Sequence, residues 1–345
     1  MRDSGQLLLL VHTGLVKAGY DVDAIYRELG FQAEGLPFKE IRMHHPMQVV
    51  FWETVESLTG ERDIALKICP HLPPYRAEVL EYLMYSSPTM GEGCNRAFKY
   101  LRLVSDALNV RVENAHGPAR LVIVSSPERT PVLRHTEICA VWSIIQFAKT
   151  ATEGAFQPTA IRLSYEQRSP ITDYEKLFGC PVAFNAPHCE IDFPAGLLDW
   201  TSPRWDPDLL RVHEEVAERR LLRIERQDLI EKVEAQIALR LETEQCELEP
   251  IARALGLSER RLRFELSQAG TSFTQLLADF RYRLARRLLA QTHETIDNIV
   301  YLTGFSEPST FYRAFKRWSG LTPVQYRDQK KGAEPASRPA AKRRA

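Results

Sequence analysis

Apolar residues recur at helical spacing through most of the first 105 residues. The pattern predicts helices over residues 21–29, closed by Gly30, and 46–58, closed near Gly60. Two more helical stretches cover residues 77–85 and 91–108. The period then shortens. Residues 108–112 (LNVRV) and 121–124 (LVIV) have the pattern of strands around a turn at His116-Gly117-Pro118. A helix over 134–152 follows, then a strand over 160–165, a short helix over 174–178 stopped by Gly179, and short strands over 182–184 and 190–193. Helices first and mixed elements afterwards predict an α+β N-terminal domain.

Pro203, Asp206 and Pro207 break the pattern, and a long charged helix follows over residues 209–241. Its apolar face carries Ile230, Val233, Ile237 and Leu241, as expected of a connector that runs into an all-α C-terminal domain. That domain contains an internal repeat. IARALGLSERRLRFEL (251–266) and IVYLTGFSEPSTFYRAF (299–315) share Ile, Gly and Ser at an offset of 48. The later apolar pairs, Leu262/Leu266 and Phe311/Phe315, correspond at 49, so the second copy has one extra residue.

In each copy a short helix ends at a glycine able to take the left-handed conformation of a sharp turn. An apolar residue, Leu257 or Phe305, plugs the turn, and Ser258 or Ser306 is placed to cap a second helix. This is the layout of a helix-turn-helix, whose second helix enters the major groove of DNA. Between the copies, residues 272–290 lack Gly and Pro and keep helical apolar spacing. Such a rod is about 28 Å long, close to the roughly 34 Å of one DNA turn. It also carries Arg281, Arg283, Arg286 and Arg287, candidates for phosphate contacts or for a solvated basic face.

Charge sharpens this picture. The 345 residues carry no net charge, yet residues 251–345 hold 18 Lys and Arg against 8 Asp and Glu. The first 250 residues hold 27 against 37, so the polyanion-binding part is expected at the C-terminal end. Six cysteines (69, 94, 139, 180, 189 and 246) form no CxxC pair or zinc spacing and read as reduced thiols. Residues 7–11 are too short an apolar run for a signal segment, and no stretch reaches membrane-span length, which predicts a cytoplasmic protein without membrane contact. No GxSxG, Walker A, Rossmann glycine or HExxH pattern occurs. His44-His45 reads as part of a helical setting with no third ligand, so no metal, cofactor or catalytic residue is expected.

Three C-terminal segments, IARALGLSERRLRFEL, GTSFTQLLADFRYRLARRLLAQT and IDNIVYLTGFSEPSTFYRAFKRWSGLTPVQYR, closely resemble the DNA-binding domain of the AraC/XylS family of transcription regulators. The N-terminal region more loosely resembles the arabinose-binding-like regulatory domain of members related to the ornithine-utilisation regulator. The pieces are YEKLFGCPVAF (174–184), EIDF (190–193) and Leu197–Leu198.

The resemblance implies an effector-binding and dimerisation domain over 1–205 and a helical connector over 206–227. A DNA-binding domain over 228–328 and a disordered basic tail over 329–345 complete it. Inside the DNA-binding domain the helix-turn-helix units fall at about 247–268 and 295–318, joined by the linker helix 272–290. Carried over by position, the first recognition helix would present Arg260, Arg261 and Arg263, with Phe264 where many relatives have an arginine. That Phe would either pack or touch a thymine methyl. The second would present Ser309, Thr310 and Arg313, with Lys316 and Arg317 toward phosphate or solvent and Phe315 and Trp318 in the core. Arg281 and Arg283 would contact phosphates.

The implied function is an effector-responsive, sequence-specific activator of transcription that acts as a homodimer. It would bind double-stranded promoter DNA and RNA polymerase beside the nucleoid, reading two successive major grooves. Two other readings stand beside it: a ligand-independent DNA-bending regulator, and a DNA-repair-type enzyme that shares the module. The size of the N-terminal domain opposes the first, and the lack of a cysteine cluster opposes the second. Trp52, Tyr82, Tyr100 and Trp142 are candidates for either a ligand pocket or the core.

Overall fold

The computed structural model describes residues 1–31, 38, 41–74, 79–114, 117–124, 133–241 and 246–331. The chain divides into two compact units, Met1–Leu221 and Leu222–Ala345.

The N-terminal unit is α+β. Its helices are α1 (Gly5–Lys17), α2 (Val22–Glu28), α3 (Met47–Thr59), α4 (Ile64–Ile68), α5 (Val79–Ser86), α6 (Met90–Phe98), α7 (Arg134–Ala151) and α8 (Ile171–Phe178). Strands β1 (Arg2–Ser4) and β2 (Arg42–His44) pair antiparallel. The other strands, β3 (Val110–Asn114), β4 (Ala119–Ile123), β5 (Ala160–Arg162), β6 (Val182–Ala183) and β7 (Cys189–Phe193), form one sheet in the order β3-β4-β7-β5-β6. Among the described strands only β5 and β6 run parallel. The alternation along the strands buries Ala119, Leu121, Ile161, Ile191 and Phe193 in the main core. It aligns charged side chains on the other face. There Arg120 and Arg162 both pair with Asp192 (2.6 and 2.9 Å) and with Glu190 (3.2 and 3.1 Å).

Several expected elements differ in detail. The helix expected over 91–108 stops at Phe98, and a 3₁₀ turn covers Leu101–Leu103. The backbone beyond is taken by the N-terminal strand: Ser4 N–H donates to the Val104 carbonyl (2.7 Å), and Asp3 bridges to Ser105. Helical spacing cannot report such a partner 100 residues away. The apolar run at residues 7–11 lies inside α1, whose Ser4 cap accepts from the Gln6 N–H (3.3 Å) and whose Leu10, Val11 and Leu15 are buried. His44 and His45 are not helical. His44 ends β2, and His45 Nδ1 lies in the following turn, 2.9 Å from the Asp3 carboxylate. His116 of the expected hairpin turn lies outside the described residues.

A long helix, α9 (Pro207–Arg240), crosses the boundary between the units. Its early residue Ala217 is fully buried with Val79, Leu83 and Ala97, so part of the expected connector belongs to the N-terminal core. Its late residues Val233 and Ile237 are fully buried in the core of the C-terminal unit.

The C-terminal unit continues with α10 (Leu248–Ala254), α11 (Glu259–Gln268), α12 (Phe273–Gln291), α13 (Ile296–Leu302), α14 (Pro308–Ser319) and α15 (Pro323–Lys331). Two apolar clusters hold it. One joins the end of α9 to Ile251, Leu262, Leu266 and Leu276, and the other joins Ala285 and Leu289 to Ile299, Phe311, Phe315 and Tyr326. The basic tail expected from 329 begins as the last turn of α15, and residues 332–345 lie outside the described residues. Among the described residues no helix is long and apolar enough to cross a membrane, and no cluster of His, Cys, Asp or Glu could hold a metal ion.

Candidate nucleic-acid interface

Each repeat folds as a helix, a glycine turn and a second helix. Gly256 and Gly304 both take φ +70°, which L side chains rarely adopt. The second helices start differently. Ser258 caps α11, its Oγ accepting from the Arg261 N–H at 3.2 Å. Ser306 does not cap α14. Glu307 takes the N-cap position without a side-chain bond, and Pro308 fills the first turn, where a missing N–H leaves nothing unsatisfied. The extra residue of the second copy is thus absorbed at the helix start.

On α11, Leu262 and Leu266 are buried while Arg260, Arg261, Arg263 and Phe264 are exposed. Arg261 pairs with Glu265, and Arg263 with Glu259, each along its own helix. Arg260 has no side-chain partner among the described residues. Phe264 is 54% exposed, and the Arg261 guanidinium stands 5.8 Å from its ring centre. It does not fill the core.

On α14, Phe311 and Phe315 are buried, and Trp318 packs against Tyr282 and Phe305 with ring centres 5.7 and 6.2 Å away. Ser309, Thr310, Arg313, Lys316 and Arg317 are exposed together. Their positions recur every three or four residues, so they share one face. Among the described residues Arg313 reaches only the Thr310 hydroxyl, at 3.5 Å.

The linker helix α12 uses its arginines unequally. Arg281, expected at phosphate, is half-buried. Its Nη2 donates to the Gly304 carbonyl (2.6 Å), and its guanidinium covers the Phe305 ring at 4.6 Å. That carbonyl belongs to the second turn, so Arg281 fastens the linker to the second helix-turn-helix. Arg283 is exposed and paired with Glu234 of α9 at 2.7 Å. Arg283, Arg286 and Arg287 rim a surface hollow of about 410 Å³ with Lys330 and Tyr326. Lys330 was missed from sequence because it fell in the expected tail. Its place beside α12 depends on how α15 packs.

Two family matches cover this geometry. Residues 251–329 match a helix-turn-helix domain, and residues 19–202 match the arabinose-binding domain of AraC transcription regulators, N-terminal part. The chain belongs to the AraC family of transcription regulators. Among relatives of this AraC-family chain is the ornithine utilization regulator of Pseudomonas aeruginosa. It is 26% identical over 275 residues, 80% of this chain and 81% of that protein. The transcriptional regulator VirS of Mycobacterium tuberculosis is 32% identical over 154 residues, 45% of each chain. Of solved structures, the transcriptional regulator CdpR from Pseudomonas aeruginosa aligns with a TM-score of 0.42 and 20% identity. That alignment covers 88% of this chain and 95% of that one. This AraC-family chain is a DNA-binding transcription regulator.

Proposed function

We propose that the chain is an effector-responsive activator whose α11 and α14 read two successive major grooves on one face of promoter DNA. The observation that carries this is the pair of exposed polar faces, Arg260/Arg261/Arg263/Phe264 and Ser309/Thr310/Arg313, each backed by its own apolar cluster. Arginine can bond guanine O6 and N7 bidentately, and Phe264 suits a thymine methyl. Lys316, Arg317 and the Arg283–Arg286–Arg287–Lys330 rim suit phosphates, which carry no sequence information but set the register. The N-terminal unit would bind a small effector and pair two copies, and the DNA-bound form would engage RNA polymerase in the cytoplasm, beside the nucleoid. The size and α+β fold of that unit support a sensor over a plain DNA-bending module.

Hydroxyl-radical footprinting on genomic fragments selected by the full-length protein tests the reading. The expected result is paired protections about 10 base pairs apart on one face of the duplex for each bound copy. A single protected patch per copy would overturn the two-groove reading.

A further inference from the structure

The N-terminal unit retains two adjoining cavities inside its own fold. The larger, about 220 Å³, lies among α1, α3, α7 and the segment around Ser105. The smaller, about 150 Å³, lies among α5, α6, α7 and the sheet, and its walls include Met84, Phe98, Leu121, Phe147, Phe156 and Phe193. Val104, Leu108, Ser143 and Ile144 line both. An apolar cavity of roughly 150 Å³ stays dry and can take up a benzene-sized molecule. Close packing is the rule in protein interiors, so two such spaces side by side mark where an apolar ligand would fit.

Their polar groups define its chemistry. At one end of the larger cavity Asp3, 1% exposed, accepts hydrogen bonds from Ser105 Oγ (2.5 Å), Gln48 Nε2 (2.5 Å) and His45 (2.9 Å). Gln48 Oε1 accepts from the Thr136 hydroxyl (2.7 Å), which accepts from the Trp52 indole N–H (2.8 Å). This network is internally satisfied. Ser143 differs: its Oγ is buried in the shared wall with no hydrogen-bond partner among the described residues. Among the described residues no Lys or Arg lines either cavity, and the described lining side chains of formal charge are Asp3, His45 and Glu81.

These facts exclude several ligand classes. A carboxylate would meet Asp3 with no cation to hold it. A cation would have to displace one of the three donors on Asp3. A sugar would bury several hydroxyls against hydrocarbon, each at the cost of an unmade hydrogen bond. We propose that the two cavities hold an uncharged, mostly hydrocarbon effector with one hydrogen-bonding group set against Ser143 Oγ. The proposal rests on the effector reading above. It gives this chain a ligand chemistry unlike the sugar in the description of its N-terminal family or the amino acid in its relative's name.

The test uses the full-length protein and diphenylhexatriene, a neutral hydrocarbon fluorophore, displaced by 1-decanol, decanoate, L-arabinose or L-ornithine. The fluorophore should bind. 1-Decanol should displace it at least about tenfold better than decanoate, and arabinose and ornithine should not displace it. Ile144→Trp, which fills the shared wall, should weaken the fluorophore by about tenfold or more while DNA binding persists. Ser143→Ala, which removes only the hydroxyl and is informative even if Ile144→Trp fails to fold, should leave the fluorophore unchanged. It should weaken 1-decanol about three- to tenfold, one neutral hydrogen bond.

Absence of fluorophore binding, displacement by decanoate as tight as by 1-decanol, or displacement by arabinose or ornithine overturns the proposal. So does unchanged 1-decanol affinity in Ser143→Ala. DNA affinity measured in the same samples separates the two readings. If 1-decanol displaces the fluorophore without altering DNA affinity, the cavity chemistry stands and the effector reading loses support. If arabinose or ornithine alters DNA affinity without displacing the fluorophore, the effector reading stands and this site falls.

Discussion

Arg313 sits mid-face on α14 with one weak contact, at 3.5 Å to Thr310, and is available to a base edge. Arg313→Ala should cost about 1–3 kcal/mol of DNA affinity and relax sequence preference at one position, measured by fluorescence anisotropy on a panel of operator variants. Equal weakening of all sequences would assign it to phosphate. Arg283 carries the opposite expectation, since its guanidinium is exposed but tied to Glu234. Arg283→Ala should lower the salt slope of DNA binding by about one unit, and Glu234→Ala should leave the slope intact while tightening binding. In the N-terminal unit His135 is fully buried beside Glu56 (2.7 Å). Burial, assisted by Arg134, holds its pKa below the ordinary value against the pull of Glu56. The unfolded chain therefore binds a proton that the folded chain refuses. Stability is complete above the unfolded value of about 6.5 and falls as pH drops below it. Urea melts between about pH 7 and 5 should show that decline, and His135→Gln should flatten it; His12 and His213, also lowered, leave a remainder.

At the scale of elements, the two helix-turn-helix units are similar in sequence but differ in how they are held. A Cβ on Gly256 meets nothing within 4 Å, whereas one on Gly304 would lie 2.3 Å from the Leu241 carbonyl oxygen. Gly256→Ala should cost about 1–2 kcal/mol from the left-handed backbone alone. Gly304→Ala should cost more than about 3 kcal/mol, because backbone must move as well. Chemical denaturation of the two variants checks the order. The caps differ in the same way: Ser258→Ala should cost about 1 kcal/mol, and Ser306→Ala far less. The repeat, its turns and the linker helix were all legible from glycine position and apolar spacing. The shifted start of α14 was visible only as an offset of 48 becoming 49. The bond of Arg281 to the Gly304 carbonyl was not legible, because sequence shows the charge but not the partner that it meets.

At the scale of the whole molecule, two units with separate cores should melt as two transitions in calorimetry. Operator DNA, which binds the folded C-terminal unit, should raise one transition and leave the other in place. A single transition that shifts entirely with DNA would mean that the cores fold as one.

By itself the sequence determined what short-range physics controls: helix and strand periods, glycine turns, one serine cap, the repeat, and the charge split that put DNA binding at the C-terminal end. Each of these depends on neighbours within a turn or two. The tertiary structure decided what depends on residues far apart in the chain. It ordered five short strands into β3-β4-β7-β5-β6 and ended α6 early against the N-terminal strand. It also turned Arg281 inward. Of the four aromatics offered as pocket candidates Trp52 lines the larger of the two cavities described above, while Tyr82 is exposed against His213. Asp3, Gln48, Ser105, Thr136 and Ser143 come together from separate segments, and no spacing rule links them. A cavity is a shortfall of packing between elements, so it has no signature along the chain.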